Sequence, residues 1–169
     1  MRTNYIALGV NPDGSALVFR PIVASGTKVT AHCIPLSGVQ KQGLTEGGAL
    51  VGAMLIIALS AYHLDMDLDA LVSKRMSPMP YELTLDKHAE MRALRTGLGL
   101  EEDATGPAML VVRTYDCDRP IGEDDLQSLE QLVELGKNVA PSVIGEMMLR
   151  KLAAMHPDVL PPLFPTIAL

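Results

Sequence analysis

The sequence predicts an α+β fold: an antiparallel sheet of four to five strands packed against a buried central helix and two or three amphipathic helices. Three observations carry that expectation. The first quarter alternates β-branched apolar runs with glycine-bearing turns, as a meander of hairpins does. A charge-free stretch, GGALVGAMLIIALSAYHL (47–64), is apolar on every side, like a helix at the centre of a domain. Helical periodicity then dominates the later chain without regular alternation with strands, which separates this layout from a parallel α/β one.

The strand-like segments are YIALGV (5–10), ALVFRPIVA (16–24) and KVTAHCIPL (28–36). Asn11-Pro12-Asp13-Gly14 and Ser25-Gly26-Thr27 supply the turns between them. Pro21 places the second strand at an edge or a bulge, and Pro35 ends the third. A polar loop (37–46) leads to the apolar helix (46–63), and Asp65 or Asp67 caps a shorter helix (67–75) with Lys74 and Arg75 in its last turn. Next come a short strand, YELTL (81–85), and a helix (86–96) closed by Gly97. AMLVVRTY (108–115) is the clearest central strand. Residues 122–135 read as an amphipathic helix with acids in its first turn, and Pro141 opens a last helix (141–155). The chain ends in HPDVLPPLFPTIAL, whose four prolines favour an extended course. These features define a single domain over residues 1–156 and a proline-rich apolar tail over 157–169, with no internal repeat apparent.

The 169 residues suffice for a core without metal or disulfide staples. That core is aliphatic and methionine-rich, with 10 Met, 2 Phe and no Trp. A net charge of −6 with scattered basic residues argues against nucleic acid as a partner. Two cysteines, Cys33 and Cys117, are too few for a disulfide framework, and the first residues do not read as a signal peptide, so a cytoplasmic protein is expected. The apolar stretch carries a Gly48-x-x-x-Gly52 pair suited to close helix packing. It lacks basic or Trp anchors and stands at the short limit for a span, so a membrane is not expected as a partner.

One constellation suggests chemistry. His88-Ala89-Glu90 stands at the start of the expected 86–96 helix, and Cys117 follows the strand 108–115. Over about 35 residues this resembles the zinc-dependent nucleobase deaminases, in which H-x-E supplies a zinc ligand and the proton shuttle and P-C-x-x-C supplies two thiolates. The resemblance implies His88 and Cys117 as zinc ligands and Glu90 as general acid/base. Asp116 stands where that motif has Pro, and Pro120 where it has the second Cys, leaving zinc one protein ligand short. Without these two departures resolved, no complete catalytic signature is present, and no cofactor follows except zinc under this alternative. Asp116-x-Asp118 lacks a phosphate loop, Asp65, Asp67 and Asp69 lack the Gly and Glu of a calcium loop, and the adjacent His32 and Cys33 point to opposite faces of a strand.

The leading expectation is therefore a non-catalytic interaction or assembly protein, a homo-oligomer or a subunit of a larger complex. Its expected contact element is the tail, through Leu160, Leu163, Phe164 and Ile167, either on its own domain or on a neighbour.

Overall fold

The computed structural model describes residues 5–22, 31–62, 68–72, 84–86, 90–101 and 108–164. They form one antiparallel sheet with four helices, an α+β arrangement. The strands are β1 (Tyr5–Val10), β2 (Ala16–Ile22), β3 (Ala31–Pro35), β4 (Thr84–Asp86), β5 (Leu94–Glu101), β6 (Met109–Asp116) and β7 (Arg119–Ser128). They lie in the order β4-β3-β2-β1-β5-β6-β7. The helices are α1 (Leu36–Ser60), α2 (Leu129–Leu135), α3 (Ala140–Met155) and the short α4 (Leu160–Leu163). Alternate strand residues, Ile6, Leu8, Val10, Leu17, Phe19, Ile34, Leu98, Leu100, Leu110 and Val112, form the core with Val51, Leu55, Ile56 and Leu59 of α1 and Ile144, Met148, Leu149 and Leu152 of α3. The helices thus cover one face of the sheet.

The sheet has more strands than the sequence predicts because two segments read as helices are extended. Residues 90–93 are not helical and 94–101 form β5. Gly97 and Gly99 do not cap a helix there; they make room beneath the rings of Tyr115 and Tyr5. Residues 119–128 pair with β6, so only 129–135 of the expected 122–135 helix are helical. The acids assigned to its first turn serve tertiary partners instead: Asp124 binds Arg113 and Asp125 binds Lys151. Of the expected 67–75 helix, residues 67 and 73–75 lie outside the described residues, and the described part holds a single 3-10 turn, Leu68–Leu71. The prolines of the tail do not exclude helix, since Pro161 and Pro162 sit in the first turn of α4, where their missing N–H groups have no partner to lose.

By length and composition α1 could cross a membrane. Gly43 breaks it with φ 78° and ψ 170°, and the unbroken remainder is about 25 Å long against a hydrocarbon core of about 30 Å. Gly48 and Gly52 are used inside this chain, against Pro141, Gly145 and Glu146 of α3.

The topology contains a repeat that the sequence conceals. β1-β2-β3-α1 and β5-β6-β7-α2-α3 are each a three-stranded meander followed by a helix broken at a glycine. Gly43 and Gly136 share the same unusual backbone, φ 78° and ψ 170° against φ 90° and ψ 167°. At their offset of 93 positions (136 − 43), Leu17-Val18-x-Arg20 falls on Leu110-Val111-x-Arg113, Leu36 on Leu129, Gly52 on Gly145 and Leu59 on Leu152. The β2–β3 register maps onto the β6–β7 register pair for pair, Ala16↔Pro35 onto Met109↔Ser128 and Phe19↔His32 onto Val112↔Asp125. β1 and β5 are antiparallel neighbours, and a pseudo-twofold axis passes between the paired Ala7 and Gly97. The helix crossing obeys the same axis: a Cβ at Gly52 would meet the carbonyl of Pro141, and one at Gly145 the carbonyl of Gly48. Short identities and hairpin loops of unequal length, 11–15 against 102–108, hide this relation in the sequence.

Candidate functional site

The deaminase-like residues are only partly described. His88 lies outside the described residues. Glu90 is exposed in the non-helical segment before β5, so the expected helix start is absent from its side of the motif. Cys117 is exposed in the β6–β7 turn with φ 55°, and its N–H donates to the carbonyl of Ala93 at 2.7 Å. That bond ties the turn to the segment carrying Glu90. Among the described residues, no group of three or more His, Cys, Asp and Glu side chains is placed to hold a metal. His32 stacks on Phe19 with ring centroids 5.2 Å apart, and Cys33 packs on the other face beside Ala7, Val18 and Ala31.

Of its two expected places, the described part of the tail takes the first, on its own domain. Leu160 and Phe164 are fully buried in the chain's own core, and Leu163 packs against that core. Ile167 lies outside the described residues. The reason is the fastening of the chain after α3. His156, buried, donates from Nε2 to the carbonyl of Leu94 at 2.8 Å. Asp158 then takes a forked ion pair from Arg92, at 3.0 and 2.9 Å. These contacts aim Leu160 and Phe164 inward, so they belong to the domain and not to a separate tail.

On the helix-free face, a polar cluster straddles β1, β5, β6 and β7. Tyr5 donates to Glu101 at 2.7 Å, and Arg113 donates to Glu101 at 3.1 Å and to both oxygens of Asp124 at 2.9 and 2.7 Å. The Arg113 guanidinium lies 5.0 Å above the Tyr5 ring, and Tyr5 meets Tyr115 edge-to-face at 6.2 Å. Both rings lie over glycines, Tyr5 on Gly99 and Tyr115 on Gly97. Hydrogen bonds to Asp124, first among the causes, hold Arg113 above its ordinary pKa. Burial, then the hydrogen bond to Glu101, pushes the Tyr5 phenol up; burial raises Tyr115. The donors and acceptors satisfy one another, so the cluster latches the two halves of the sheet together. Because both phenols titrate higher folded than unfolded, their contribution is intact below about pH 10 and is lost as pH rises beyond it. The urea midpoint is expected to fall between about pH 9 and pH 11, and Tyr5→Phe to flatten that decline; an unchanged profile in Tyr5→Phe would remove Tyr5 as its source.

A second feature went unnoticed in the sequence. Val133, Leu135 and Val139 are 41%, 49% and 45% exposed, and Leu126 on the edge strand β7 is 54% exposed. They make up four of the five large hydrophobic residues exposed among the described residues. On a continuous 122–135 helix, Leu126 and Val133 would lie on the apolar side. The pairing of β7 with β6 moves the start of the helix to Leu129, so only Leu132 of α2 is buried. In the first half of the chain, the positions matching Val133, Leu135 and Val139 are Gln40, Gln42 and Glu46.

No protein-family model matches this chain, and no curated protein and no solved structure was found to be similar to it.

Proposed function

We propose that the chain is a non-catalytic assembly protein, a subunit that associates with further copies of itself through β7, α2 and the α2–α3 turn. The observation that carries this reading is the contrast between the two halves. One backbone unit occurs twice, and where the first copy presents Gln40, Gln42 and Glu46, the second presents Val133, Leu135 and Val139. A surface that only had to stay solvated would keep the polar set; exposed apolar residues on β7, α2 and the turn after it mark a contact. β7 is an edge strand whose outer side has no strand partner among the described residues. Pro120 and the positive-φ Gly122 blunt its first half, leaving the part that carries Leu126 available.

Glu123, Glu130 and Glu134 are exposed around this surface. An interface between copies brings these charges together, so association should tighten as salt screens them. Light scattering on the purified chain is expected to give a defined oligomer that is strengthened by salt. Val133→Asp with Leu135→Asp should reduce it to a monomer with an unchanged thermal midpoint. A monomeric wild-type protein at high concentration, or an oligomer indifferent to both substitutions, would rule out this surface.

A further inference from the structure

β7 ends the sheet, and a bond at its end shows which of its backbone groups face outward. Leu129 N–H donates to the carbonyl of Ala108, so Leu129 points toward β6. Backbone groups alternate in direction along a strand, and the register runs unbroken from Met109↔Ser128 to Val112↔Asp125. Gln127 and Asp125 therefore bond to β6, whereas Ser128, Leu126 and Asp124 aim their N–H and C=O groups away from the sheet. Leu126 stands at the middle of that set and is 54% exposed. Among the described residues no strand lies on that side.

The first half of the chain shows what such an edge holds. Its matching strand, β3, receives β4 antiparallel, with Asp86 opposite Ala31 and Thr84 opposite Cys33. At the offset of 93 positions those two places correspond to Asp124 and Leu126. Leu36 N–H donates to the carbonyl of Ser15 as Leu129 N–H does to that of Ala108, so the outward groups match as well. The edge that carries β4 in one half is open in the other. The two halves also show how one such unit meets another: β1 and β5 pair antiparallel about the pseudo-twofold axis, with α1 and α3 on the same face.

We infer that two molecules join at β7 by antiparallel strand pairing about a twofold axis at Leu126, so that their sheets run on as one. This joint rests on the association proposed above through β7 and α2, and it specifies the partner as one further molecule in one register. Charge selects that register. With Leu126 opposite the partner's Leu126, Asp125 faces the partner's Gln127 and Asp124 faces the partner's Ser128, so no acid opposes an acid. An axis at Asp124 or Asp125 would set Asp against Asp, and one at Gln127 would shorten the ladder, because α2 begins at Leu129. In the selected register Leu126 exchanges both main-chain bonds with its counterpart, and Ser128 N–H donates to the Asp124 carbonyl on either side. The same axis sets both copies of α2 on one side of the joined sheet. The opposite edge is a poor substitute: β4 has 3 residues, and a contact from β4 to β7 would not close.

Amide hydrogen exchange on the unmodified protein, read beside its native mass across a dilution series, tests the joint. The mass should level off at that of two chains of 18.1 kDa. As pairs form, the Leu126 and Ser128 amides should slow about tenfold or more, whereas Asp125 and Gln127, already held by β6, stay slow at every concentration. Leu126→Pro removes an outward N–H and no bond to β6, so it should weaken association about tenfold or more while Asp125 and Gln127 remain protected. A monomer at every concentration would overturn the association through β7 and α2, and this joint with it. A dimer whose Leu126 and Ser128 amides exchange as fast as in the monomer, or one indifferent to Leu126→Pro, would overturn the joint alone. A mass that keeps rising with concentration would do the same, since a twofold contact closes at two molecules. The exchange rates are read on the wild-type chain, so the test does not depend on a variant folding.

Discussion

Gly145→Ala is expected to cost about 3 kcal/mol or more, at or beyond the upper end for overpacking a core. The added Cβ would overlap the carbonyl of Gly48 and come within 2.9 Å of the Gly52 backbone nitrogen. Both are main-chain atoms of α1, and no rotamer change can move them aside. Relief requires α3 to back away from α1, which opens gaps around Ile144, Met148, Val51 and Leu55 in the shared core. Gly52→Ala should behave alike, because its Cβ would strike the Pro141 carbonyl across the same crossing. Gly136→Ala is the informative contrast. Nothing lies within 4 Å of its Cβ position, and only its φ of +90° opposes a side chain, so the cost should be roughly 1–2 kcal/mol. Urea denaturation of the three variants should order them accordingly. Equal losses at Gly145 and Gly136 would mean that the helices do not cross as closely as described.

Phe164→Ala should lose roughly 3–5 kcal/mol, comparable to the whole stability of many domains. Phe164 is 1% exposed and among the largest fully buried side chains. It belongs to the densely packed core, so the vacated space would remain largely a cavity. Removal of residues 157–169 should lower the thermal midpoint sharply, since Leu160 leaves with Phe164. A truncated chain that melts where the full-length chain does would show that the tail is not part of the core.

The α+β class was legible because its signals are local. β1, β2 and β3 are short apolar runs between strong turn residues, β6 is an apolar run bounded by Gly106-Pro107, and Pro141 marks the start of α3. The charge-free run around Val51–Leu59 announced a buried helix whatever its partners. The segments misread were those where a local preference and a tertiary one compete. Leu126, Leu129, Leu132 and Val133 are spaced as on a helix, but residues 119–128 gain a ladder with β6 on either side of one bulge. Gly97 resembles a helix stop in isolation; in the sheet it is the gap that Tyr115 fills.

By itself, then, the sequence determined the class of fold, the aliphatic character of the core and the presence of a small-residue helix surface, because composition and short-range pattern govern each of them. Only the tertiary structure decided that Gly48, Gly52 and Gly145 meet within one chain, that Leu160 and Phe164 close the core, and that the chain is built twice on one plan. It also decided which residues face outward at the second copy's edge. Each of these depends on pairing between segments tens of residues apart. The free energy of such pairing comes from register and packing, which no short window of sequence contains.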